Sequence, residues 1–362
     1  MEKNKYKIAV YAICKNEGKF IDRWVDSMQE ADDIFVLDTG SDDDSVSKLK
    51  KRNVNVYQEV IDPWRFDVAR NKSLALVPED YDICVCTDLD EVFDKGWRQE
   101  IEKNWKPDND SMRYNLNCNF DQYGNPGVSL YIEKIHTKKN FKWVYPIHEV
   151  LEFTGENKNT SICDTINLNH YPDVTKSRGQ YLPLLEMAVK EMPDNDRVWH
   201  YLGREYMYYR RWEDCIEALT HHINLPSSVW KDERCASMRF ISRAYFALGK
   251  YDEARKWLDK AVLEAPYLRE SFVEYGSLEY YFENYEKAIK LLEQALTIKE
   301  RSKTYINEPF SFDSTIFDIL SICYYHLNDK QKAIYYGKKA LEMNPDDERI
   351  KNNQKYFLEM EE

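Results

Sequence analysis

The sequence has no apolar run of the eighteen or so residues that a membrane span needs, although 43% of its 362 residues are hydrophobic. Its opening, MEKNKYKIAVYAICKNEG, lacks the cleavage pattern of a secretory signal. Together these absences point to a soluble globular protein that stays in the cytoplasm. Basic residues are not in excess: 51 Lys and Arg against 64 Asp and Glu leave a net charge of −13, which argues against broad nucleic-acid binding. A local basic groove remains compatible with that balance. The cysteines lack any framework. Cys14, Cys84, Cys86, Cys118, Cys163, Cys215, Cys235 and Cys323 are scattered, several inside apolar runs where a thiol acts as a small hydrophobe. Cys84 and Cys86 form the one close pair, with no companion Cys or His nearby in sequence, so a zinc site there is not expected.

What is present divides into two halves, as the length suggests. From residue 7, short β-rich runs alternate with helical stretches: KIAVYAI, FIDRWVDSMQ, DIFVLD, SVSKLKKR, VNVYQEV, VARNKSLALV, DICVCT. Strand and helix in turn are the signature of a parallel sheet with covering helices, and runs apolar throughout suit strands buried on both faces. MRYNLNCNF and VSLYIEKIHTKKNFKWV alternate more and read as antiparallel additions. The expected division is an α/β domain over 1–175, a linker helix region over 176–193 and an all-α solenoid over 194–362.

The second half repeats itself. Small residues recur at one position of a helix pair, Cys215, Ala254, Ala288 and Ala333, separated by 39, 34 and 45 residues. Aromatic and glycine positions follow in frame, with Trp199, Gly203 and Trp212 in the first copy and Tyr245, Gly249 and Tyr251 in the second. These are the spacings of about four tetratricopeptide repeats. The two longer intervals require insertions, expected at LPSSVWKDER and KERSKTYINEPFSF. A solenoid of this kind offers a concave face to a peptide or protein.

Chemistry collects where the strands end, which is where open parallel sheets bind ligands. The ends read Cys14-Lys15-Asn16-Glu17, then Asp38-Thr39-Gly40-Ser41-Asp42, then Thr87-Asp88-Leu89-Asp90-Glu91. Carboxylates this close repel one another, and a divalent cation with a substrate phosphate would relieve the repulsion. Asp88 and Asp90, one residue apart on an extended chain, point the same way.

On AICKNE with FIDRWVDSM, VLDTGSDDDSV, ARNKSLAL and TDLDE, in that order, residues 5–175 resemble the family 2 glycosyltransferases, whose nucleotide-sugar-binding fold is of the GT-A kind with a mixed, mainly parallel sheet. Asp38-Thr39 departs from the family, where many members have two acids. The fusion to tetratricopeptide repeats, with FKWVYPIHEVLEF and His170 in NLNHYPD, is similar to peptide S-glycosyltransferases of the sublancin type and to a related bacterial subgroup acting on lipopolysaccharide. The resemblance implies a metal-dependent inverting hexosyltransferase that uses a nucleotide-sugar, with a UDP-sugar expected, and Mn2+ or Mg2+. It implies donor binding by Ala12, Lys15, Glu17, Asp38, Arg70, Asp88 and Leu89, with Asp38 at the base and Arg70 facing the diphosphate. A metal would be held by Asp90 and His170 with Asp88. Glu149 is the expected base that removes the acceptor's proton, with His148 as its alternative. In an extended segment these two would face opposite ways. A lid hinge is expected in DQYGNPGVS, at Gly124, Pro126 and Gly127.

The acceptor is read as a peptide or protein on the repeat platform. A saccharide acceptor, with the repeats serving homodimer formation, is the second reading. An inactive repeat-based adaptor and a nucleotidyltransferase are the others. His136, His200, His221, His222 and His326 belong to no motif and are read as structural.

Overall fold

A computed structural model describes residues 5–120, 124–173, 175 and 178–359. The first half runs β1 (Ile8–Cys14), α1 (Ile21–Met28), β2 (Asp33–Asp38), α2 (Ser45–Lys51), β3 (Asn55–Gln58), α3 (Phe66–Ala75), β4 (Ile83–Cys86), β5 (Glu91–Phe93) and α4 (Trp97–Asn104). It continues through β6 (Ser111–Asn117), β7 (Ser129–His136), β8 (Phe141–Val144), β9 (Val150–Phe153), β10 (Thr160–His170) and α5 (Tyr181–Glu191). Eight strands form one mixed sheet in the order β3-β2-β1-β4-β7-β6-β10-β5, and β8 and β9 form a separate hairpin. The strands β3, β2, β1 and β4 are parallel, as expected, and β7 runs antiparallel to both β4 and β6.

Both faces of this sheet are covered, which explains the unbroken apolar runs. In β1, Ile8, Val10 and Ala12 join a core with Trp24, Met28, Leu49 and Trp97, so α1, α2 and α4 cover that face. Ala9 and Tyr11 turn to the other face, against Leu74 of α3 and Trp143 of β8. Helix α1 buries Ile21, Trp24, Val25 and Met28, one stripe at helical spacing. Each such side chain contributes roughly 1.5–3 kcal/mol on burial. The strands β5 and β10 are absent from the sequence expectation. EVF is short and acidic at its start, and β10 owes its place to pairing with β6 some fifty residues earlier.

Under the sheet lies a buried polar chain: Trp143 Nε1–H donates to Tyr11 Oη (2.9 Å), which meets His136 Nε2 (2.8 Å), while His136 Nδ1 lies 2.7 Å from Thr137 O. Burial pushes the His136 imidazole down to about 4. Since the unfolded ring titrates near 6.5, protons favour the unfolded chain throughout that interval. The unfolding free energy should therefore fall by about 3 kcal/mol as the pH drops from about 6.5 to about 4. Denaturant titrations across that range should show a flatter decline in His136→Gln.

The second half is α6 (Asp196–Tyr208), α7 (Trp212–Asn224), α8 (Lys231–Ala247), α9 (Tyr251–Glu264), α10 (Arg269–Tyr281), α11 (Tyr285–Thr297), α12 (Thr315–His326), α13 (Lys330–Met343) and α14 (Glu348–Glu359), with a 3₁₀ turn at Pro309–Ser311. These helices form four pairs followed by one terminal helix. The turn inside each pair has the same geometry, with one left-handed residue at Arg210, Gly249, Glu283 and Asn328. In all four, the next amide reaches back across the turn: Arg211 to Tyr206, Lys250 to Tyr245, Asn284 to Glu279 and Asp329 to Tyr324. This is the Schellman closure, which satisfies carbonyls orphaned at a helix end. Cys215, Ala254, Ala288 and Ala333 are fully buried where paired helices cross. A Cβ on Gly203 would come within 2.4 Å of Leu219, and one on Gly276 within 2.6 Å of Leu292, so both crossings need glycine. The first insertion is shorter than expected: KDER begins α8 instead of extending the loop.

The chain divides into two compact units, Met1–Ala188 with Lys303–Tyr305, and Val189–Ser302 with Ile306–Glu362. No helix among the described residues is long and apolar enough to cross a membrane.

Candidate functional site

The carboxylates of TDLDE sit just beyond the carboxyl end of β4. Trp24 Nε1 donates to Thr87 Oγ1 (3.0 Å) and Thr87 N to Tyr11 O (3.3 Å), which fix the start of the turn. Asp88 N donates to Glu91 Oε2 (2.8 Å), and Glu91 N to Asp88 O (3.1 Å), so backbone and side chain close a tight loop.

Two cations of the chain itself enter this loop. Arg70, on α3 and with only 4% of its side chain exposed, places Nη2 at 2.5 Å from Asp88 Oδ1 and Nε at 3.0 Å from Glu149 Oε1. Lys134, on β7, lies 3.3 Å from Asp88 Oδ2 and 3.4 Å from Glu91 Oε1. Burial alone would raise the Asp88 carboxyl, but Arg70 and Lys134 outweigh it and hold the group well below its ordinary value. Glu91 goes the other way, because burial and the Asp88 charge exceed what Lys134 supplies. The buried hydroxyl of Tyr114 has no hydrogen-bond partner among the described residues and feels the charges of Lys134 and Glu91.

Asp90 turns to the other side of the loop. Its Oδ2 is 3.3 Å from His170 Nε2, and its carbonyl accepts from Tyr171 N at 2.9 Å, so β10 and the loop are tied at this point. Burial lowers the His170 imidazole, yet the Asp90 hydrogen bond and the nearby acids raise it above its ordinary value.

The expected site residues separate into groups. The structure brings Arg70, Asp88 and Glu149 together, and Asp90 with His170. Arg70 faces two carboxylates of its own chain, which differs from the expectation that it awaits a diphosphate. Asp38 is fully buried, and its carboxylate accepts from Gly40 N (3.2 Å), Ser41 N (3.1 Å) and the Ser41 hydroxyl. It thus shapes its own loop. Ala12 and Leu89 have their side chains in the core, so any donor contact there falls to backbone atoms. Lys15 is exposed and Glu17 half-buried beyond β1. His148 is not extended: its φ is +51°, and its ring meets Tyr181 edge-on at 5.9 Å. Gly124 (φ +83°) and Pro126, which bridges to Phe120, lie in the connection from β6 to β7. Residues 121–123 of the expected lid hinge lie outside the described residues.

Sequence reasoning missed Lys134. The register of β4 on β7 pairs Cys84 with His136, and its continuation sets Lys134 opposite Cys86, two residues before Asp88. Its one local signal is a lysine two residues from the buried His136, on the same side of a strand.

For a divalent cation, Asp90 and His170 offer two donor atoms on one side, while Asp88 is engaged by cations. The carboxylate suits Mg2+ or Mn2+, whereas the imidazole nitrogen suits an ion softer than Mg2+.

Comparison with known proteins bears on the repeats. Residues 234–263 match a tetratricopeptide repeat model, and residues 269–362 match the model described as the prolyl 4-hydroxylase peptide-substrate-binding domain. Similar solved structures include MamA, 21% identical over 48% of this chain and 96% of that one, with a TM-score of 0.38. Another is YrrB, described as a TPR protein with an unusual peptide-binding site, 12% identical over 49% of this chain and 83% of that one, TM-score 0.38. A thermophilic TPR protein of Thermus thermophilus is 21% identical over 50% of this chain and 92% of that one, TM-score 0.36. The chain carries tetratricopeptide repeats behind a mixed α/β sheet domain.

Proposed function

We propose that the first unit is a GT-A glycosyltransferase that moves a sugar, with inversion, from a nucleotide diphosphate donor to a peptide or protein presented by the repeats. The observation that carries this reading is the charge balance at the end of β4. Of four carboxylates there, Asp88, Glu91 and Glu149 meet two permanent cations, Arg70 and Lys134, while Asp90 meets His170. The cluster as a whole carries two negative charges in excess, and Asp90, the acid that pairs with neither cation, stands next to an imidazole whose proton affinity it raises. A bound Mn2+ or Mg2+ there would supply the positive charge that a leaving diphosphate needs. Asp90 and His170 would hold it. Arg70 positions Asp88 and Glu149 with one rigid fork, and Glu149 would take the acceptor's proton.

The matched model's description as a peptide-substrate-binding domain favours a peptide acceptor over a saccharide. The repeat unit has a cleft of about 380 Å³ walled by Phe246, Leu258, Leu278, Tyr281 and Phe310, with Arg243 at its rim. Such a cleft suits an apolar side chain of an extended peptide.

A panel of UDP- and GDP-sugars with Mn2+ tests the reading by release of free nucleoside diphosphate. Release from one donor, abolished by EDTA, is expected. No binding and no release with any donor would remove the enzymatic reading. A specific observation favours a second one: because Arg70 and Lys134 already neutralise Asp88, part of the acidic cluster has a structural explanation. An adaptor would show repeat-mediated binding and no response of the first unit to Mn2+ or Mg2+.

A further inference from the structure

We propose that His200, His222 and Glu233 form a buried zinc site where the first repeat packs on the second. They come from three successive helices, α6, α7 and α8, and one donor atom from each lies within 4.8 Å of the other two. His200 and His222 are fully buried, and Glu233 is nearly so. His222 Nε2 is 3.3 Å from Glu233 Oε1, close to the roughly 3.4 Å that separates two ligands of a tetrahedral ion with bonds near 2.0–2.1 Å.

The surroundings match those of metal-bound imidazoles. Ser237 Oγ lies 2.7 Å from His200 Nδ1 and 3.0 Å from His222 Nδ1. Its two lone pairs can accept from both rings, which sets the His222 tautomer so that Nε2 presents a lone pair toward Glu233. Ser228 Oγ, 3.2 Å from His222 Nε2, stands where a fourth ligand or its water would be.

Repeat packing does not ask for these residues. His222 stands seven residues after Cys215, and the same step from Ala254, Ala288 and Ala333 arrives at Ala261, Ala295 and Ala340. All three alanines are fully buried. One repeat alone has an imidazole where the others have a methyl group, and it meets there a second imidazole and a carboxylate.

Charge selects the ion. The arginines Arg204, Arg197 and Arg239 put positive charge around His200. Arg239 has counter-charges in Glu274 and Glu308. Arg197 and Arg204 lie over the Tyr201 ring. This field opposes hard ions attracted by charge alone, and it favours one bound chiefly through nitrogen. Two imidazoles and one carboxylate suit zinc.

The test uses the full chain, stripped with EDTA, dialysed and titrated with Zn2+ against a chromophoric chelator, in wild type, His222→Ala and Glu233→Gln. His222→Ala installs the residue that the other repeats have, and Glu233→Gln keeps volume and hydrogen bonding, so both should fold. The difference from wild type isolates this site from any metal bound in the first unit. Wild type should hold one more zinc than either variant, with an affinity loss above about 100-fold in both. Co2+ should give wild type alone a tetrahedral visible spectrum from this site. Equal zinc content and equal competition in wild type and either folded variant would overturn the proposal, leaving a hydrogen-bonded network of histidine, serine and glutamate.

Discussion

Arg70→Met should unfold the first unit at much lower denaturant than wild type, with a loss of about 3 kcal/mol. The guanidinium is almost fully enclosed and binds two carboxylates from distant segments, Asp88 after β4 and Glu149 before β9. Removing one member of a buried ion pair strands the other charge, at a cost of roughly 3–5 kcal/mol. The lower end applies because about a third of Asp88 remains in contact with water. Arg70→Lys should recover only part of the loss, since a single ammonium cannot hold both carboxylates as the planar fork does. Asp88→Asn in the Arg70→Met background should recover more, by removing one stranded charge. Equilibrium denaturation of the four proteins measures this directly. Equal midpoints for Arg70→Met and wild type would mean that the two contacts contribute no net stability.

The pattern of what the sequence revealed follows from distance along the chain. Strands β1, β2 and β4 and the helices between them were legible because each strand is a local apolar run, whereas β3, largely exposed, was legible only from its place in the alternation. The repeats were legible because a period of small residues recurs, and because crossings as tight as Gly203 on Leu219 tolerate almost nothing else. The Schellman turns were not, since Arg210, Glu283 and Asn328 adopt the left-handed geometry that only Gly249 announces. Packing of the helix pair dictates that turn and overrides the residue's own preference. The acidic loop was legible as acids and illegible as a site. Its counter-charges come from residues 18 positions before and 46 positions after Asp88, and only the antiparallel pairing of β7 on β4 brings Lys134 to it. The histidines of the first repeat are hidden in the same way: three helices supply one ligand each, and no short motif contains two of them.

Asp90→Asn is the substitution expected to change activity most while sparing the fold. Among the described residues Asp90 meets only His170 through its side chain, is partly exposed, and lies outside the grip of Arg70 and Lys134. Asparagine keeps the volume and one oxygen. Under the proposed function it would remove the charge that holds a divalent ion, and with it the electrostatic help to a departing diphosphate. Donor turnover should drop by roughly 100- to 1,000-fold. Stability gives an independent reading. Mn2+ at about 100 times its dissociation constant should stabilise the wild-type first unit by about 2.7 kcal/mol, and Asp90→Asn should show almost none of that shift. His170→Gln should reduce both effects without abolishing them, because it leaves the carboxylate in place. Asp88→Asn should instead alter stability without metal, since its carboxylate is held by the chain's own cations. If Asp90→Asn and Asp88→Asn behaved alike in both measurements, the two acids would share one role, and the separation of a positioned Asp88 from a metal-facing Asp90 would fail.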